Sequence, residues 1–375
     1  MRIRSLALAA AIAVLCTSGA ATQSSELAEK LDALVAAEFA KDGVGGATVG
    51  VIKGGSLVWA KGYGTADIEK QTPATADTVY RIGSITKPFT AVMLLQLVER
   101  GKVKLSDPVE RYLPEINKIG GRFEGAPPVT FVQLATMTAG IGREPDDLNT
   151  FLVGPADQWE QVMLRALEKT KYAHEPGTRY LYSNIGYAVL GASLARAAKQ
   201  PYVDYVRGSI LQPLGMTHTD FVPSPAIKPA LAQGYDLRGG KPDGTQPARE
   251  HEGRGYKVPN GALYTSVGDL AKFVSLWLQE GPESVLKRDT IRDTLSRTGS
   301  ATGELTSGYG IGFQVTRRGS TVFYGHGGSV AGYRASMLFH PASKSGVVVL
   351  RNVGGGPFNP SAVAERVLTL AIEAK

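Results

Sequence analysis

Apolar residues recur at helical spacing over residues 25–41, where Leu27, Leu31, Leu34, Val35 and Phe39 fall on one face. Glycines at 43, 45 and 46 end that helix, and the period then changes. Residues 47–53 (ATVGVIK) and 56–63 (SLVWAKGY) read as strands, and Gly54-Gly55 between them is a hairpin signal. The same texture returns near the other end, where residues 312–315, 321–324, 334–340 and 346–351 are short strand-like runs between Gly, Ser and Pro turns. Residues 361–373 read as a closing helix. The middle differs: residues 87–100, 130–136, 158–169, 185–199, 202–210 and 267–278 all carry helical patterns, joined by loops rich in Gly, Pro and Asp. Strands at both ends and helices between them predict an α+β fold. One antiparallel sheet is built from both chain ends and flanked by helices, with an all-helical lobe inserted. The expected division is a discontinuous sheet lobe over 22–80 and 300–375, and a helical lobe over 81–299. There are no internal repeats and no low-complexity tracts.

Composition narrows the classes. The chain has 375 residues, 43% hydrophobic and 20% charged, which suits two compact lobes and excludes disorder as a whole-chain description. The formal charge is +7. The first residues change what that charge means. Arg2 and Arg4 form a basic start, residues 6–15 (LALAAAIAVL) are apolar, and small residues follow. These are the three regions of a secretory signal peptide, cleaved after Ala20 or Ala21. The apolar run is too short for a membrane span of roughly 20 residues, and no later segment is long and apolar enough for one. Removal of residues 1–21 takes two arginines and no acid, so the remainder carries +5. An exported chain of that charge argues against a nucleic-acid role and places the protein in the periplasm or outside the cell. The single cysteine, Cys16, excludes a disulfide scaffold. It lies where a lipoprotein acylation site would fall, but Leu15 occupies a position that requires a small residue, which argues against a lipid anchor.

Three segments carry candidate chemistry. In the first, a strand-like run over 77–82 passes through Gly83 into a helix that begins near Ser84 and carries Lys87 three residues on. That spacing puts both side chains on one helical face. The helix start favours developing negative charge. Residues 91–95 (AVMLL) contain no polar side chain, so the helix is buried on most sides. A serine hydroxyl needs an adjacent base to act as a nucleophile. A lysine serves only when neutral, so its pKa must fall by roughly 3 from its reference of about 10.4, worth about 4 kcal/mol. Desolvation and a second nearby cation supply that. The bland reading of the same residues is a capping serine and a surface lysine.

The second segment is residues 175–187, a turn, a short extended run and a helix start. Tyr182 and Asn184, two apart, point the same way in an extended piece and bring a phenol and an amide toward the serine. The alternative is a helix cap beside a packed tyrosine. The third is Tyr324-Gly325-His326-Gly327-Gly328-Ser329, a strand ending in His-Gly-Gly. Glycines there let backbone approach a ligand, and their N–H groups suit an oxyanion. The alternative is a glycine turn with an exposed histidine.

Ser84-Ile-Thr-Lys87, Tyr182-Ser-Asn184 and His326-Gly-Gly328, in that order, resemble the three motifs of the serine β-lactamase and penicillin-recognising family. The similarity is to the branch of class C β-lactamases, D-Ala-D-Ala carboxypeptidases, D-aminopeptidases and related esterases, and it extends over most of the chain. The resemblance implies a β-lactamase/transpeptidase-like fold and an acyl-enzyme mechanism. Ser84 would attack a carbonyl. Lys87 and Tyr182 would share the proton transfers, one lowering the other's pKa as a coupled pair. Asn184 would hold a substrate amide, and the backbone N–H groups of Ser84 and Ser329 would form the oxyanion hole. No metal or organic cofactor is implied. The third motif departs from the Lys-Thr-Gly of many members. A histidine with a reference pKa near 6.5 carries little charge at pH 7, which weakens selection for a substrate carboxylate and favours esters, amides or D-aminoacyl compounds.

Other enzyme signatures are absent. The chain has no Gly-x-Ser-x-Gly, no His-Glu-x-x-His, no phosphate loop and no Gly-x-Gly-x-x-Gly. The expectation is an exported serine hydrolase acting on amide, lactam or ester bonds of a small-molecule or peptide substrate. The alternative is a penicillin-binding or sensory module that is acylated at Ser84 and turns over poorly. Specificity is expected in the loops at 142–157 and 235–257. The natural substrate and the oligomeric state are not encoded in these motifs.

Overall fold

The computed structural model describes residues 13–225, 227–248, 254–296 and 308–374, with side chains from residue 25. The basic start and most of the apolar run of the expected signal peptide, residues 1–12, lie outside the described residues.

One antiparallel sheet of eight strands is built from both parts of the chain. Three strands come from the N-terminal part: β1 (Gly46–Lys53), β2 (Ser56–Asp67) and β3 (Thr72–Pro73). Five come from the C-terminal part: β8 (Gly308–Tyr309), β9 (Gln314–Arg318), β10 (Thr321–Val330), β11 (Tyr333–His340) and β12 (Ser345–Arg351). Their order across the sheet is β3-β2-β1-β12-β11-β10-β9-β8. The join between the two parts is β1 against β12, running from Ala47↔Arg351 to Lys53↔Ser345. Both strands are buried almost throughout. Their valines alternate between two cores, as the two-residue period of a strand requires. Val49, Val51, Val347 and Val349 pack with α1 (Ala13–Phe39) and α10 (Pro360–Glu373), while Ile52, Val348 and Leu350 face the larger core on the other side.

That second face is covered by the middle of the chain. α2 (Thr86–Glu99) is buried from Thr86 to Leu97, in keeping with the apolar run over residues 91–95. It packs beside α5 (Asn184–Ala198), α6 (Tyr202–Val206) and α7 (Val258–Gly261), while α8 (Val267–Trp277) lies directly on β1, β2 and β12. α3 (Phe131–Ala135), α4 (Trp159–Leu167) and α9 (Arg288–Ser296) complete the helices. α2 ends at Gly101, whose φ of 64° is the left-handed conformation that glycine supplies cheaply. Among its buried polar groups, Thr90 Oγ1 meets Tyr202 Oη at 2.8 Å, and Gln96 Nε2 donates to the Ser209 and Val285 carbonyls at 3.0 and 2.8 Å.

Several elements differ from the expectation. The residue 202–210 helix becomes α6 followed by a π-helical turn, Arg207–Leu211. Two small pairings sit in the middle region: β4 (Val79–Arg81) with β7 (Tyr264–Ser266), and the hairpin of β5 (Tyr235–Arg238) and β6 (Lys241–Pro247). The strand expected to end at His-Gly-Gly instead runs through it. In β10, Gly327 pairs with Ser336, Gly328 with Ala335 and Ser329 with Arg334. The glycines sit in a ladder rather than a turn because Gly328 lies against the Ile82 backbone. Among the described residues, no helix is long and apolar enough to cross a membrane.

Candidate active site

Ser84 sits in a 3-10 turn, Gly83–Ile85, that leads from β4 into α2. The turn depends on two glycines. Gly83 has a φ of 50°, and a side chain there would meet the Ser329 backbone at 2.9 Å. A side chain on Gly328 would meet the Ile82 carbonyl at 1.9 Å. The missing side chains therefore let the Ser84 turn and β10 touch backbone to backbone. This places Ser84 and Ser329 on one cleft of about 190 Å³, which Asn184, Lys257, Asn260 and Arg254 also line. A larger cavity of about 740 Å³ lies elsewhere, between α4, α5 and α6, away from Ser84.

Lys87 lies behind the serine. Its Nζ is 3.0 Å from Ser84 Oγ, 2.8 Å from Asn184 Oδ1 and 3.0 Å from the Asn260 carbonyl. The Ser-x-x-Lys spacing thus brings the two side chains together, although a 3-10 turn rather than α-helix carries the serine. Lys87 is wholly buried. Burial holds its pKa well below the ordinary lysine value. The charges of Lys257 and Arg143 push the same way, and Glu144 opposes them. The groups hydrogen-bonded to Nζ are all uncharged oxygens, and the Tyr182 and Tyr187 rings, at 4.8 and 5.8 Å, add only a weaker attraction for an ammonium.

Tyr182 and Asn184 both face this lysine. The Tyr182 ring centre is 4.8 Å from Lys87 Nζ, and the Arg143 guanidinium lies over the same ring at 5.0 Å. Burial raises the Tyr182 phenol above its ordinary value. Hydrogen bonding with Ser84 and the Arg143 charge pull it part of the way back. The pair is therefore asymmetric: the lysine gives up its proton readily and the tyrosine keeps its own. Asn184 is the first residue of α5, capped by Ser183, whose Oγ accepts from Gly186 N. Both ends of the Asn184 amide are engaged, Oδ1 by Lys87 and Nδ2 by Glu144 Oε1 at 2.6 Å.

His326 is almost fully buried rather than presented to the cleft. Its Nδ1 is 2.6 Å from the Gly327 carbonyl, and its Nε2 is 3.0 Å from Tyr309 Oη. A carbonyl only accepts, so the assigned tautomer carries its proton on Nδ1 and takes the Tyr309 hydroxyl at Nε2. Burial, with Lys87 nearby, pushes the ring down to about 3, so it is neutral throughout the physiological range. Gly327, Gly328 and Ser329 follow it along β10 on the side where that strand meets the Ser84 turn.

Three participants carry no sequence signal of the kind used above. Asn260 contributes a backbone carbonyl, which any residue supplies. Tyr309 lies in a two-residue strand with no motif around it. Glu144 falls in the loop 142–157, where the sequence reading expects specificity but singles out no residue.

The turn, the buried lysine and the flanking strand define a member of a serine-hydrolase fold family. Residues 31–371 match the Beta-lactamase family model, and the chain belongs to that family. Among solved structures it is similar to the octameric penicillin-binding protein homologue from Pyrococcus abyssi, at 31% identity and a TM-score of 0.77 over 92% of this chain and 77% of that one. It shares its fold with a class C beta-lactamase (22% identity, TM-score 0.73, 92% of this chain and 96% of that one). The same holds for a D-alanine carboxypeptidase from Burkholderia cenocepacia (23%, 0.72, 92% and 99%). Among curated proteins it is similar to Protein flp of Staphylococcus aureus strain COL, 28% identical over 87% of this chain and 63% of that protein. It is also similar to Beta-lactamase-like protein 2 of Dictyostelium discoideum, 30% identical over 85% and 58%. The chain spans about three-fifths of the length of these two relatives.

Proposed function

We propose that the protein is an exported serine hydrolase that opens amide, lactam or ester bonds through an acyl-enzyme on Ser84. The observation that carries this reading is the wholly buried Lys87, 3.0 Å from Ser84 Oγ and hydrogen-bonded to uncharged oxygens alone. A lysine in that setting is a base at neutral pH. Lys87 takes the Ser84 proton as Oγ bonds to the substrate carbonyl carbon. The carbonyl oxygen becomes an oxyanion, received by the backbone N–H groups of Ser84 and Ser329. As the carbonyl reforms, the C–N or C–O bond breaks and the leaving group takes a proton through Tyr182, which Lys87 resupplies. Water then attacks the acyl carbon and gives a proton to the same pair; as the Ser84 Oγ–C bond breaks, that proton passes to Ser84 Oγ and the acid leaves. Asn184 supports Lys87 in this scheme, and contact with a substrate amide is secondary because both ends of its side chain are engaged.

The neutral, inward-facing His326 supplies no fixed charge beside the cleft. That supports a tilt toward esters, amides or D-aminoacyl compounds over substrates chosen for a free carboxylate. Localisation outside the cytoplasm rests on the signal-peptide pattern of residues 1–21.

The test is turnover of nitrocefin, p-nitrophenyl butyrate and D-Ala-p-nitroanilide by the protein and by Ser84→Ala. Turnover that disappears in the variant supports the reading. A stable adduct on Ser84 without turnover would instead make the protein a slowly deacylating penicillin-binding or sensory module. Full activity in Ser84→Ala would overturn the site.

A further inference from the structure

Glu144 reaches the Ser84 machinery through a neighbour rather than directly. Its loop is pinned to the start of α5: the Gly142 carbonyl takes Ser183 Oγ–H at 2.8 Å, and the Arg143 carbonyl takes Asn184 N–H at 2.9 Å. This sets the Glu144 carboxylate against the Asn184 side chain, with Asn184 Nδ2 at 2.6 Å from Oε1. From the other side, Lys257 Nζ donates to Oε1 at 3.2 Å and Tyr256 Oη donates to Oε2.

An ionised carboxylate accepts hydrogen bonds and cannot donate them. The Asn184 amino end must therefore face Glu144, and its oxygen must face Lys87, where Oδ1 lies 2.8 Å from Nζ. A neutral lysine has two protons and one lone pair. Asn184 Oδ1 and the Asn260 carbonyl take the two protons. The third direction, toward Ser84 Oγ at 3.0 Å, is left for the lone pair. An Asn184 amide turned end for end would present N–H groups to Nζ and compete for that lone pair.

We propose that Glu144 is a positioning residue for the base: by fixing which end of Asn184 faces Lys87, it aims the lysine lone pair at Ser84. The inference rests on Ser84 and Lys87 being nucleophile and base. The charged and titratable groups around Lys87 are Lys257, Arg143 and Glu144, which act through charge, the Tyr182 and Tyr187 rings at 4.8 and 5.8 Å, and neutral His326 on β10.

The experiment is the acylation burst with p-nitrophenyl butyrate from pH 5 to 10, with thermal midpoints measured alongside. The proteins are wild type, Ser84→Ala, Glu144→Gln, Glu144→Ala, Asn184→Asp and the Glu144→Gln/Asn184→Asp double variant. Glutamine offers Asn184 either end of an amide, so the orientation is released. The plateau rate is expected to fall about 10-fold or more, a part of the 10²–10⁴ that a general base contributes. The acid limb is expected to move to lower pH, because the Glu144 charge that favours the ammonium is gone. Asn184→Asp presents oxygen to Lys87 whatever stands at 144, and because its carboxylate raises the lysine pKa, it and the double variant are compared with each other at their alkaline plateaus. Adding Glu144→Gln to it is therefore expected to cost nothing further. An unchanged plateau in Glu144→Gln and Glu144→Ala, or an equal loss from Glu144→Gln with and without Asn184→Asp, overturns the proposal. So does failure of both Glu144 variants to fold, which makes the residue structural. A burst that survives Ser84→Ala sinks the nucleophile assignment itself. A burst that depends on Ser84 but ignores Glu144 sinks the inference alone.

Discussion

Lys87 and Arg351 are both basic and both wholly buried, and the fold handles them in opposite ways. Arg351, at the end of β12, has Asp42 Oδ1 at 2.8 Å and the Phe358 carbonyl at 2.7 Å. Asp42 is itself held by Phe358 N at 3.1 Å. Lys87 meets a hydroxyl, an amide oxygen and a backbone carbonyl, and the nearby carboxylate of Glu144 is set one side chain further back. Burial lowers the pKa of both. For Arg351 the Asp42 carboxylate pulls against it, and a guanidinium with so high a reference value stays charged at any working pH. For Lys87 two further cations push with burial. Burial alone therefore does not mark a working residue. Burial without a touching counter-ion makes a base a candidate for one.

Methionine at each position breaks the comparison most sharply. Lys87→Met is expected to lower acylation of Ser84 by about 100-fold or more. Its urea midpoint at pH 7 is expected to hold or rise, because a buried amine no longer has to lose its proton on folding. Arg351→Met leaves Asp42 buried and unpaired and is expected to cost about 3–5 kcal/mol, with acylation per folded molecule unchanged. Equal destabilisation by the two substitutions would erase the contrast.

His326 extends the comparison to a third buried base. Its folded pKa of about 3 lies below the unfolded value near 6.5, so the unfolded chain binds the extra proton between those limits. Stability from this residue is complete above about pH 6.5 and is lost as pH falls toward 3, by at most about 1.4 kcal/mol per pH unit. Urea midpoints of wild type and His326→Asn across pH 4–7 are expected to differ in slope, with the flatter curve in the variant. Parallel curves would mean the ring is protonated in place. The smallest effect expected is at Lys257. Lys257→Gln removes a cation that helps keep Lys87 neutral, so the acid limb of the acylation profile should move to higher pH, opposite to Glu144→Gln. A limb that moves down would show that Lys257 acts through Glu144 and not on Lys87.

Much of this was legible in the residue pattern. The strand texture of residues 47–53 and 346–351 announces strands, and the apolar run over residues 91–95 announces a helix buried on most sides. Ser84, Lys87, Tyr182 and Asn184 are side chains whose chemistry depends on residue type, so spacing exposes them. What stayed hidden depends on backbone or on distant partners. The Asn260 carbonyl has no residue signature. The continuation of β10 through His326-Gly327-Gly328 follows from the Ile82 carbonyl pressed against Gly328, a contact between segments far apart in sequence. The burial of His326 follows from Tyr309, which local pattern does not connect to it.

The pairing of β1 with β12 also has a meaning in time. At roughly 5–20 residues per second, the ribosome finishes β12 about 15 to 60 seconds after β1. Until then β1 lacks its inner neighbour, and Gly83 has no β10 backbone to lie against. A growing chain already carries Ser84, Lys87, Asn184 and Asn260, yet the cleft that would arm them is missing. β10, β11 and β12 thus complete the cleft after every one of those side chains has been made.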